Sequence, residues 1–218
     1  MKGYQRGEEI KRLALRYLFT VVMGLVVVGG FLDNLDAKGV DPDDSDSVVI
    51  SGGGGIFYPF QGKSGFNGVV QAAGNISSQE RLGVELEFRK YETELFNVKN
   101  IDTRSYIIRG IGQYYFRPHG ISPYIGLGIS FALNVFDEDE IEKKRSSINV
   151  KRGWGFGFGI MGLLGVEVPM GQQLAFFAEG RVSGDSQLST YKNRSGKNKI
   201  SLESLSGLTG MGGIRVRF

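Results

Sequence analysis

The chain has 218 residues, 41 % of them hydrophobic and 22 % charged, with a formal net charge of +3; these are the proportions of an ordinary folded chain of one domain or two small ones. It contains no cysteine and a single histidine, which excludes disulfides, thiolate metal sites, iron–sulfur clusters and a cysteine nucleophile and argues against a histidine-based metal centre. The small charge gives no case for nucleic acid, and the 34 glycines, about twice the average share, form no collagen triplet and must serve another geometry.

At the N-terminus Lys2, Arg6, Lys11, Arg12 and Arg16 precede the uncharged run Tyr17–Leu32. That run falls short of the ~20 residues of a spanning helix. A basic leader, an apolar middle and a small residue after a polar step predict a signal peptide over 1–37, cut after Ala37 or, as the alternative, after Gly30. Export through the Sec pathway follows; an uncleaved anchor is the competing reading. Residues 38–46 carry Asp41, Asp43, Asp44 and Asp46. Their spacing lacks the glycine and distal glutamate of an EF-hand, so the segment reads as a solvated acidic leader.

From Ser47 to Phe218 the hydrophobic period is two, the signature of strands. The first strand, 47–58, sets Val48, Ile50, Ile56 and Tyr58 on one face. The second, 65–76, sets Phe66, Val70, Ala72 and Ile76 against Asn67, Gln71 and Asn75, with a short helix over 67–73 as its rival. In 81–92, Leu82, Val84, Leu86 and Phe88 alternate with Glu85, Glu87, Arg89 and Tyr91. In 104–117, Tyr106, Ile108, Tyr114 and Phe116 alternate with Arg109, Gln113, Tyr115 and Arg117. In 121–136, Ile125, Leu127, Ile129 and Phe131 alternate with Tyr124, Gly126, Gly128 and Ser130. In 152–168, Trp154, Phe156, Phe158 and Ile160 alternate with Gly155, Gly157, Gly159 and, further on, Glu167. The pattern continues in 173–184, where Leu174, Phe176 and Val182 oppose Glu179 and Arg181, and in the last strand, where Leu208, Ile214, Val216 and Phe218 oppose Thr209, Arg215 and Arg217.

The connections alternate in kind. Ser-Ser-Gln-Glu, Pro118-His119-Gly120 and Pro169-Met170-Gly171 are short turns. PFQGKSG, TELFNVKNID, DEDEIEKKRSSINVK and SQLSTYKNRSGKNK read as longer polar loops. Eight strands with short turns at one end and long loops at the other predict an all-β fold: an eight-stranded antiparallel up-and-down transmembrane β-barrel over 47–218. A soluble ligand-binding barrel would place the apolar face inside instead. The outward apolar face is favoured by the glycine-rich polar face of 153–159, which suits a crowded interior. It is favoured also by aromatic residues near the strand ends: Tyr58, Tyr106, Phe136 and Trp154 toward the loops, Tyr114, Phe116, Phe176 and Phe218 toward the turns.

The blocks SPYIGLGIS, WGFGFGIMGLLGVEV and the C-terminal GLTGMGGIRVRF resemble the outer-membrane β-barrel superfamily of OmpA/OmpX type. The resemblance covers about 48–218. It implies a Gram-negative outer membrane, contact with lipid and lipopolysaccharide, and a terminal phenylalanine, here Phe218, read by the barrel-assembly machinery. It implies little about activity, because the superfamily holds anchors, adhesins, small channels and a few lipid A enzymes.

Gly157, Gly159 and Gly162 match a dinucleotide-binding spacing, but the surrounding residues continue a strand and open no helix. His119 lies in a turn at the end opposite the one where lipid A enzymes resembling this size work, so no catalytic residue, cofactor or metal is expected. The inward set is Glu85, Glu87, Arg89, Arg109, Arg117, Glu167, Glu179, Arg181, Arg215 and Arg217. Unpaired charges in a narrow lumen are costly, so these should pair across strands. The pairing predicts a salt-bridged plug rather than an ion path. The loop Asp137–Arg145 reads as a solvated charge run, and Lys192, Arg194, Lys197 and Lys199 as either solvated or in contact with lipopolysaccharide phosphates. The resulting expectation is a structural or surface-interaction protein. A narrow channel for small or hydrophobic solutes, as in OmpW-like barrels, is the runner-up.

Overall fold

The structure, a computed structural model, describes residues 47–117, 119–144, 148–150, 153–193 and 198–218. The expected signal peptide (1–37) and acidic leader (38–46) lie outside the described residues, as do Arg194, Lys197 and the side chains of Lys192 and Lys199. The elements in chain order are β1 (Val48–Pro59), β2 (Gly62–Asn75), β3 (Glu80–Leu95), β4 (Val98–Tyr115), β5 (Ser122–Phe136), helix α1 (Glu138–Lys144), β6 (Ile148–Val150), β7 (Trp154–Pro169), β8 (Leu174–Asn193), β9 (Asn198–Ser204) and β10 (Gly207–Arg217).

Each strand pairs antiparallel with its neighbour, and β10 lies between β8 and β1, so β1, β2, β3, β4, β5, β7, β8 and β10 close a ring. The register gives the stagger. Val49 pairs with Ala73, then through Gly83, Ile111, Gly128, Met161, Ser183 and Gly207 the circuit returns to β1 at Pro59, ten residues further along. A stagger of this kind requires strands tilted by roughly 35–45° to the barrel axis. The short β6 and β9 both pair with the far end of β8, forming a small extension beyond the ring. Ser47 and Phe218 share one end of the barrel with the turns that follow β2, β4 and β7; this is the terminal end, and the opposite one the loop end.

The pleat decides the faces. Leu127 (76 % exposed), Ile160 (69 %) and Phe131 (66 %) stand on the outer surface, whereas Glu85 (0 %) and Arg109 (1 %) are buried inside. A water-soluble barrel of lipocalin type is thereby excluded, because it would leave its apolar face in solvent and its ion pairs in the core. The inward glycines are places where a neighbouring side chain lies over the strand. A Cβ at Gly128 would come 2.8 Å from Cδ of Arg109, and one at Gly159 would collide with the Asp185 carboxylate.

The segment 67–73 is strand, as its alternation predicts, and not the rival helix. Two expectations change. PFQGKSG and TELFNVKNID are not long loops: β1 and β2 are joined by Phe60 and Gln61, and β3 and β4 run out to a two-residue turn at Phe96 and Asn97. Both turn residues have positive φ (53° and 58°), the backbone of a hairpin turn that normally takes Asn-Gly. Phe96 holds this conformation because its ring is buried with Leu95, Val98, Ile101, Phe136, Ile141 and Leu205. Phe136 is part of that inner cluster and so does not belong to the outer aromatic rim, on which Tyr58 and Phe218 do stand exposed.

The charge run after β5 is also more than a solvated loop, since Glu138–Lys144 is α1. Asp137 caps it by accepting the Glu140 amide hydrogen (3.2 Å). Ile141 is its buried face. Lys144 bonds Glu140 one turn back (2.8 Å) and reaches the carbonyls of Lys99 and Asn100, fastening the helix to the β3–β4 hairpin. That hydrogen bond holds the Glu140 carboxyl below the usual carboxylate range.

Candidate functional site: the charged interior

Every odd residue of β3, β4 and β8 in the spanning region points inward, so the charged runs of β3 and β8 and the single Arg109 of β4 converge on the axis. Arg181 lies at the centre. Its guanidinium donates to both oxygens of Glu85 across the lumen (2.8 and 2.7 Å) and to Glu179 on its own strand (2.7 Å). Glu85 also receives Arg109 (2.5 Å), which bonds Glu87 (2.8 Å); Glu87 receives Arg89 through both carboxylate oxygens (2.8 and 3.1 Å). Arg89 continues to Asp185 (3.0 Å), and Ser130 donates to the other Asp185 oxygen (3.1 Å).

Toward the terminal end the same network passes through Glu179 to Arg215 (2.7 Å) and through Arg215 to Glu167 (2.7 Å). Glu167 also takes Arg81 (3.4 Å) and Arg217. Tyr124 donates to Glu179 (2.6 Å), and Tyr115 donates to Glu167 (3.2 Å) and accepts from Arg81 and Arg215. Aromatic faces support the cations: Arg215 lies 4.7 Å from the Tyr124 ring centre and 4.5 Å from Phe177, and Arg89 lies 4.3 Å from Phe57. Beyond the network, toward the loop end, stands the apolar cluster of Leu95, Phe96, Ile101, Phe136 and Ile141.

Of the residues picked from the sequence, Glu85, Glu87, Arg89, Arg109, Glu167, Glu179, Arg181 and Arg215 are buried in this network, and Arg217 joins it from a partly exposed position. Arg117 does not: it follows the end of β4, exposed, and belongs to the rim. Arg81 and Asp185 are members that the sequence reading missed. Both are in phase with their neighbours, Arg81 with Glu85 and Asp185 with Arg181. The strand predicted over 173–184 stops one residue short of Asp185, whereas β8 runs to Asn193. His119 lies in the exposed turn between β4 and β5. Among the described residues no group of His, Asp and Glu side chains is arranged to hold a metal ion.

A closed antiparallel ring with aliphatic and aromatic side chains on its outer face and ion pairs within defines the class: this is the fold of an outer-membrane β-barrel. No protein-family model matches the chain, and none of the curated proteins matches it. Among solved structures it is similar to the outer membrane protein OprG from Pseudomonas aeruginosa, with a TM-score of 0.61 and 13 % identity over 81 % of this chain and 97 % of that one. It is similar also to Neisserial surface protein A, with a TM-score of 0.52 and 16 % identity over 80 % of this chain and 98 % of that one. At these identities the likeness is one of fold.

Proposed function

We propose that the protein is an integral component of a Gram-negative outer membrane, delivered there after removal of the 1–37 segment, with a structural or surface-interaction role and a lumen closed to solutes. The observation that carries this reading is the unbroken run of ion pairs from Arg217 to Asp185, buried throughout except at Arg217. Guanidinium and carboxylate groups held by several partners each lose that stabilisation if water and ions are to pass. The apolar cluster under α1 supports closure at the loop end. Outer-membrane lipid contacts the apolar belt, lipopolysaccharide the loop end, and the barrel-assembly machinery the last strand through Phe218.

Single-channel recording in planar bilayers tests the reading. A closed lumen gives no conductance or rare brief bursts. A large, stable, ohmic conductance contradicts it and favours a narrow channel for small or hydrophobic solutes.

A further inference from the structure

The charges inside the barrel do not balance evenly along its axis. In the middle, Arg89, Arg109 and Arg181 face Glu85, Glu87 and Asp185, one for one. At the terminal end Arg81, Arg215 and Arg217 face only Glu167 and Glu179, and Glu167 is shared by all three. A polar pocket opens there, lined by Arg81 and Arg217 and by Arg117 on the rim, with Asn75 and Ser122 beside them. Against three guanidiniums its lining carries one carboxylate, the exposed Glu80. Nε of Arg217 is buried and has no hydrogen-bond partner among the described residues. Among the described residues Arg117 pairs with no carboxylate.

Like charges gathered beside a low-dielectric interior repel unless an anion is supplied. Guanidinium forks are matched in shape to carboxylate and phosphate oxygens. We infer that this pocket is an oxyanion site, with Arg81, Arg117 and Arg217 as its donors. The anion is a free oxyanion taken from solution, for which inorganic phosphate is the probe.

The test uses protein folded in detergent micelles, titrated with inorganic phosphate against sodium chloride of matched ionic strength, with binding heat and unfolding midpoint as readouts. The wild type should bind phosphate saturably, and Arg117→Gln should weaken binding by about tenfold, as expected for loss of one charge-assisted contact. Arg117 is exposed and outside the ion-pair network, so its variant keeps the fold. The inference is overturned if the wild type does not respond saturably to phosphate, or if Arg117→Gln and Arg217→Gln leave the response unchanged.

Discussion

Arg181 shows what a single interior side chain does in this protein. It is bonded to Glu85 and Glu179 and is almost wholly buried. Removing it takes one of two arginines from each of two buried carboxylates, Glu85 and Glu179, and leaves the interior one positive charge short. Arg181→Ala should therefore lower folding stability in lipid by about 3–5 kcal/mol, less where water enters the vacated space. Lys63→Ala breaks an ion pair of similar length with Glu92, but Lys63 is 62 % exposed, and the expected loss is about 0–1 kcal/mol. Urea unfolding from lipid vesicles compares the two; equal losses would mean that the interior is hydrated like the surface. The period of two places most of these side chains inside, Arg81 among them once its phase with Glu85 is followed. The alternation in the sequence runs on to Arg117, but the pleat of β4 ends at Tyr115 and the turn begins there.

At the scale of elements, the alternation fixes the lipid face. Leu127 on β5 and Phe158 on β7 point outward, and Ser130 on β5 points inward to Asp185. Arginine at Leu127 or Phe158 should cost about 2–4 kcal/mol if the position lies near the bilayer midplane. The penalty should be large in lipid, where burying the charge is the cause. Ser130→Arg should behave differently, its cost coming from packing against the Arg109–Asp185 region and persisting in any solvent. Folding assays in lipid and in detergent separate the two; a solvent-independent penalty at Leu127 would contradict the outward face.

All eight ring strands were legible in the sequence because each buries one face and exposes the other. The rest was not, for local reasons. The β3–β4 hairpin looks like a loop in the sequence because its turn residues are Phe96 and Asn97 rather than Asn-Gly, and only tertiary burial of Phe96 makes that turn acceptable. Helix α1 hid in a charge run, although Asp137 and Glu140 have the spacing of a capping box. The extension strands β6 and β9, of three and seven residues, are too short for a pattern of their own and are defined by their pairing with β8.

The whole molecule depends on one seam, where the last strand meets the first. Phe218 exchanges two backbone hydrogen bonds with Val48 (2.9 and 3.2 Å) and stands outward, 59 % exposed, at the terminal end. Deleting it shortens the seam and removes an interfacial aromatic. Outer-membrane yield in cells should fall more than folding yield in detergent; a normal cellular yield would remove Phe218 from any role in assembly.

The apolar outer surface requires lipid around it. Cell fractionation followed by gel electrophoresis of heated and unheated samples tests this most directly. The protein should sediment with the outer membrane, stay folded in mild detergent, and change mobility only on boiling. Recovery in the soluble fraction, with no heat-dependent shift, would contradict it.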